Sequence, residues 1–204
     1  MRATNANTHL PPALERVRAP RNDLSAAPAV LLACGNPLRQ DDGVGWRIAE
    51  TVERMADRGF PESRLQIIAV QQWTPELAEH LAGAELAIFV DASAVDEPGA
   101  IRVREVSSPT SVKAEQSGST RFRLAQARTW GRRAEVSETH GLEPAELMAL
   151  AERVCGHAPA RAFVLTVGGE WFQYGEEISR RVQQSVPRAV RLVGNLVAAF
   201  AEAA

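Results

Sequence analysis

The sequence predicts a three-layer α/β sandwich, with a mostly parallel, mixed sheet of about five strands flanked by helices. Three observations carry that prediction. Short apolar runs that suit buried strands alternate with segments whose apolar residues recur at helical spacing. Strand, helix, strand, helix, strand in that order implies parallel pairing through right-handed crossovers. One later segment alternates apolar and charged residues, as an edge strand with one wet face does.

Residues 1–27 are Pro- and Asn-rich with weak periodicity, and are expected to form a flexible N-terminal arm. The arm lacks the apolar core of a signal peptide, while its arginines leave a mitochondrial-type presequence as an alternative. Residues 28–204 are expected to form one domain. PAVLLAC, 28–34, reads as a buried strand between Pro28 and a glycine loop. Helix follows over 44–59, with Val44, Ile48, Val52 and Met55 on one face and Gly59 as its stop. RLQIIAV, 64–70, is a second buried strand. TPELAEHLAGA, 74–84, is a helix with Thr74 as N-cap, Pro75 at its first position, and Glu76 and Glu79 as charges of its opening turn.

ELAIFVDA is a third strand, expected to end at Asp91, and AIRVREV, 100–106, is the edge strand. The polar, aperiodic stretch from Ser107 to Glu138 is long for a connection, which points to function or disorder. EPAELMALAERVCG is a helix, and ARAFVLTVGG is a strand ending in a glycine pair. Helix is expected from Glu176 to the end of the sequence, kinked or broken at Pro187.

Composition narrows the function classes. The 204 residues carry a formal net charge of -2, with 45% hydrophobic and 24% charged residues, ordinary for a globular domain. Such a balance leaves no electrostatic footprint for nucleic acid. No apolar run is long enough to span a bilayer. The two cysteines, Cys34 and Cys155, make no CxxC pair and are expected to be reduced and buried. Cys34 borders the glycine loop, but no polarising partner stands near it in sequence to make it a nucleophile. A cytoplasmic, monomeric protein is expected.

In sheets of this kind, sites form beyond the carboxyl ends of strands. That rule gathers Asp41 and Asp42 after the first strand, Gln71 to Thr74 after the second, Asp91 after the third, and Gly168 to Glu170 after the last. His140 precedes a helix and is a further candidate. A nucleotide fits the loop GNPLRQDDGVG, 35–45, poorly. It has neither G-x-G-x-x-G nor a closing Lys-Ser/Thr, and Asp41 and Asp42 stand where phosphates would. A divalent metal of intermediate hardness fits better: Asp42, Asp91 and His140 supply two carboxylates and an imidazole. Each also has a bland reading, as helix cap, turn residue and exposed loop histidine respectively. His9, His80 and His157 have only bland readings. Gly43 and Gly45 would let a peptide approach the backbone closely. Trp73 reads either as a groove wall or as core.

The loop GNPLRQDDGVG closely resembles the G-N-x-L-x-x-D-(D/E)-G-x-G signature of the [NiFe]-hydrogenase maturation endopeptidases. The resemblance continues through QQWTPELAEHL, AIFVDA, THGLEPAELMALA and VGGEWFQYGEEIS, covering about Val30 to Val190. It implies an endopeptidase that removes the C-terminal extension of a hydrogenase large subunit after nickel insertion. It also implies that Asp42, Asp91 and His140 are the catalytic and metal-contacting residues. No metal or cofactor is expected to be bound permanently; the nickel would belong to the substrate. The partner implied is the large-subunit precursor, with no nucleic acid and no membrane.

Three departures accompany the match. Gln71-Gln72-Trp73-Thr74 stands where many relatives carry Asp-Gly-Gly-Thr, Asp42 stands where others have Glu, and the Ser107 to Glu138 segment is long. A carboxylate such as Asp41 or Asp42 could also serve as the base in hydrolysis. The rival readings are a non-cleaving scaffold or metal-sensing binding protein on the same fold, a nucleotide-binding enzyme, and an unrelated α/β hydrolase.

Overall fold

A computed structural model of the chain describes residues 15–18, 29–56, 65–106 and 141–203. Among these residues the sheet has six strands: β1 (Glu15–Arg18), β2 (Ala29–Cys34), β3 (Leu65–Val70), β4 (Leu86–Ser93), β5 (Ile101–Val106) and β6 (Arg161–Gly168). Their order is β1-β3-β2-β4-β6-β5. The central strands β3, β2, β4 and β6 run parallel, and β1 and β5 close the edges antiparallel. The strand beyond the expected five comes from within residues 1–27, where Glu15–Arg18 pairs with β3 from Glu15↔Val70 to Arg18↔Ile67. The rest of the expected arm lies outside the described residues.

Among the described residues four α-helices cover the sheet: α1 (Val44–Ala56), α2 (Ala78–Ala82), α3 (Pro144–Cys155) and α4 (Arg180–Ala203). The burial of β2 and β4 explains the layering. Leu31, Ala33, Ile88 and Val90 point to one face, where they meet Val44, Ile48 and Val52 of α1 and Val182, Val186, Ala189, Val190, Val193 and Val197 of α4. Their alternating neighbours Val30, Leu32, Ala87 and Phe89 meet Leu81 of α2 and Leu147, Met148 and Ala151 of α3 on the other. Two apolar faces on one strand leave no polar register, which is why these strands read as unbroken apolar runs. Full burial of one such Leu, Ile or Phe contributes roughly 1.5–3 kcal/mol.

The helix ends differ from expectation for local reasons. Pro75 to Leu77 form a 3-10 turn before the short α2, and Thr74 makes no side-chain cap bond there. α3 opens on a capping box between Glu143 and Glu146 and stops at Gly156, whose φ of +77° is left-handed. α4 runs unbroken through Pro187, which lies on its exposed face. It begins at Arg180 rather than Glu176, because the preceding residues are engaged elsewhere. The expected stop of α1 at Gly59 lies outside the described residues, as does the Ser107 to Glu138 segment. Cys155, expected to be buried, is exposed at the end of α3.

Candidate functional site

The site forms where β2 ends and its neighbours continue. β2 and β4 pair in register from Ala29↔Leu86 to Ala33↔Val90 and then part. β4 does not stop at Asp91 as expected. It stays paired to β6 through Ser93↔Gly168. Asp91 therefore sits on a held strand whose other edge has just opened. Alternation along β4 turns its side chain toward the α2–α3 face, the face that Cys34 also shares.

The loop after β2 folds back onto that edge. Gly35 has φ +127°, and a Cβ there would stand 1.9 Å from the carbonyl oxygen of Asp42, so only glycine lets the loop close. The Asn36 side chain accepts from the Leu38 amide at 2.9 Å, and the Asn36 amide donates to Asp42 Oδ2 at 2.9 Å. Gln40 to Gly43 form a 3-10 turn that leads into α1. The close approach expected at Gly43 and Gly45 is made by the protein itself. A Cβ on Gly45 would lie 2.2 Å from the Cys34 carbonyl oxygen, and one on Gly43 would lie 2.8 Å from Cα of Pro37. Gly45 thus seats α1 against β2, and Gly43 lets the turn before α1 close on Pro37. The Trp46 indole, donating to the Val70 carbonyl at 3.0 Å, seats it against β3.

The two adjacent carboxylates have different surroundings. Asp41 is fully buried. Its Oδ2 accepts from the Glu170 and Trp171 amides at 2.7 and 3.0 Å, and its Oδ1 from the Ser179 amide at 2.6 Å. Asp42 is half-buried and has the Asn36 amide. Burial pushes its carboxyl above the ordinary range, and the Asn36 amide and the charge of Arg39 only partly offset that. Asp91 accepts one amide, from Ala92 at 2.8 Å. Burial raises its pKa to about 7; the Ala92 amide opposes this, while the charges of Asp42 and Glu143 add to it.

Asp42 and Asp91 thus share one field. Neither is a cap: Asp42 makes no helix-capping contact, and Asp91 lies within a strand. His140 lies outside the described residues. Gly141 and Leu142, immediately after it, lie against Trp73, whose carbonyl accepts the Leu142 amide at 3.2 Å. Among the described residues no three His, Cys, Asp or Glu side chains form a metal cluster.

Cys34 is buried between these groups. Burial first, then the charges of Asp91 and Asp42, push its thiol far above the usual range, so it remains protonated. Its Sγ donates to the Gln71 carbonyl at 3.5 Å. A thiol held in this state is no nucleophile. Trp73 is core: it is buried and meets Phe89 edge-to-face at 5.5 Å. His80 pairs with Gln66 at 3.0 Å and His157 with the Ala158 carbonyl at 3.1 Å, both away from the site.

Sequence reasoning missed the part played by the segment after β6. Glu170 to Ser179 hold Asp41 and are knit to the 36–42 loop by further bonds. Gln40 donates to the Gly175 carbonyl at 2.7 Å, Gly175 to the Leu38 carbonyl at 2.8 Å, and Asp41 to the Trp171 carbonyl at 3.0 Å. The Arg39 guanidinium donates to the Phe172 carbonyl at 3.1 and 3.3 Å. The glycine pair after β6 was the available signal: a Cβ on Gly169 would lie 2.4 Å from the Phe172 ring and 3.1 Å from Asp41 Cβ. Glu143, whose charge reaches Asp91, was hidden in a helix-start pattern.

No protein-family model and no curated protein matches the chain. Solved structures share its fold. The hydrogenase maturating endopeptidase HybD from E. coli matches with a TM-score of 0.56 at 19% identity, covering 86% of this chain and 93% of that one. The [NiFe] hydrogenase maturation protease HybD from Thermococcus kodakarensis gives 0.52 at 24%, covering 82% and 97%. The maturation protease HycI from Thermococcus kodakarensis KOD1 gives 0.55 at 17%, covering 84% and 93%. At these identities the likeness establishes the fold.

Proposed function

We propose that this chain is a peptidase of the [NiFe]-hydrogenase maturation type, removing the C-terminal extension of a hydrogenase large-subunit precursor once nickel is in place. The observation that carries the reading is the pairing of Asp42 and Asp91 at the open edge of β4, two incompletely satisfied carboxylates in one field. The fold shared with structures named as hydrogenase maturation proteases supports it. The motif order in the sequence supports it independently.

In this reading Asp42, Asp91 and His140 contact the nickel of the substrate, and the protein needs no metal of its own. A carboxylate whose charged form is penalised by burial gains most when a divalent cation arrives, because the cation supplies the missing counter-charge. Binding then releases the proton that Asp91 holds below about pH 7. Hydrolysis requires a water oxygen to attack the scissile carbonyl carbon, with one water proton passing to a base and the departing amide nitrogen gaining one. Nickel held at the carboxylates would polarise the carbonyl or the water. A carboxylate oxygen of Asp42 or Asp91 left off the metal would take the proton. A cytoplasmic setting and a precursor protein as sole macromolecular partner belong to the same reading.

The test is cleavage of purified precursor, with and without nickel loaded, followed by gel mobility. Cutting of the nickel-loaded form alone is expected. Binding without cutting would make the chain a scaffold, and efficient cutting of the nickel-free form would make it a peptidase that does not read the metal.

A further inference from the structure

We propose that the segment from Glu170 to Ile178 forms one wall of the substrate groove, with Trp171 and Tyr174 touching the precursor and Asp41 acting as the buried positioning residue that fixes the wall beside Asp42. The inference rests on the peptidase reading and assigns that site its substrate-gripping face.

Three observations lead to it. First, Asp41 adjoins Asp42 in sequence, yet both of its oxygens face amides of the opposite loop, at 2.6 to 3.0 Å. Bonds to a charged acceptor are roughly twice as strong as neutral ones, so this is a stiff tie. Second, the two loops also exchange backbone bonds from Leu38 to Asp41, and Arg39 and Gly175 form a parallel bridge. Gln40 takes a left-handed φ of +51°, unusual for a residue with a side chain. Such strain persists only where surrounding contacts over-determine the backbone, and it gathers at functional clamps.

Third, this tightly held segment turns two large aromatic side chains to solvent. Trp171 is 52% exposed and Tyr174 85% exposed. Held rigid, they offer contact area with little ordering cost on binding, which is why Trp and Tyr dominate binding hot spots. The Trp171 amide is itself bonded to the carboxylate of Asp41, the residue that precedes Asp42 in the chain. The occupant is the stretch of precursor beside the scissile bond, since cleavage brings that stretch to Asp42, and Asp41, next to it in the chain, is what holds this segment.

The experiment compares steady-state cleavage of nickel-loaded precursor by the wild-type chain, the Trp171→Ala/Tyr174→Ala double variant and Asp41→Asn. The aromatic variant, altered only at exposed side chains, should raise KM by about tenfold or more with kcat nearly unchanged. Asp41→Asn should raise KM too, keep the shape of the pH profile, and speed hydrogen exchange at the Glu170, Trp171 and Ser179 amides. Wild-type KM in the aromatic variant overturns the wall. Loss of kcat in Asp41→Asn with those amides still protected overturns the positioning role and makes Asp41 a base. A wild-type chain that leaves the nickel-loaded precursor uncut overturns the peptidase reading itself, an outcome distinct from both.

Discussion

Asp41 and Asp42 are the same residue type one bond apart, and the fold treats them in opposite ways. Asp41 is sealed from water and meets three amides, enough to occupy both oxygens. Asp42, and Asp91 with it, meet one amide each and are pushed toward the protonated form by burial. The first carboxylate has both oxygens bonded to backbone amides, and those bonds hold two loops together. The other two keep unmet demand for positive charge. The contrast separates an acid whose oxygens are taken up by the fold from two acids left available for the chemistry proposed above.

The sharpest way to break this contrast is to remove the unmet charges. Asp42→Asn and Asp91→Asn should each keep the fold and lower cleavage of nickel-loaded precursor by on the order of 100-fold or more, since even outer-shell changes at metal sites cost 10- to 100-fold. Activity near wild type in either variant would erase the distinction. Circular dichroism should show no change in either.

Asp41→Asn should behave in the opposite sense, as a stability variant. It leaves at least one buried amide unpaired, which costs about 1–3 kcal/mol per group. Urea unfolding should show the loss, and a midpoint equal to wild type would mean that the tie is dispensable.

The pH dependence sharpens the contrast further. The folded pKa of Asp91 is raised to about 7, against an ordinary carboxylate value of 3.8 in the unfolded chain. Between those values the folded state holds a proton that the unfolded state has released, so stability contributed by this group is full below about pH 4 and is lost as pH rises to about 7. Asp91→Asn removes the titration. The variant should therefore gain on wild type as pH increases through that window and hold a constant advantage above it. Thermal melts of metal-free protein at pH 5 and pH 8 measure it; an advantage that shrinks toward pH 8 would contradict the assignment.

The smallest effect is expected at the thiol. Cys34 stays protonated beside both carboxylates, so Cys34→Ser should change cleavage little, and its hydroxyl can keep the bond to the Gln71 carbonyl. Loss of activity on the scale of Asp42→Asn would restore Cys34 to the chemistry.

Much of this was legible before folding. The alternation of AVLLAC, LQIIAV and LAIFVD with helical segments determined a parallel sheet with helices on both faces, because a strand buried on both sides has no polar register to show. Strand ends then gathered Asp42 and Asp91, since a parallel sheet directs all its carboxyl ends to one edge. The residues alone could not tell Asp41 from Asp42. Which acid is satisfied depends on amides of residues 170, 171 and 179, more than a hundred positions away, and no local pattern encodes that meeting. The same distance explains why α4 starts at Arg180: the Ser179 amide is donated to Asp41. Sequence determined which chemical groups arrive at the edge of the sheet. Tertiary structure decided which of them keep free valence there, because hydrogen-bond satisfaction of a buried charge is a property of neighbours that the chain brings together only by folding.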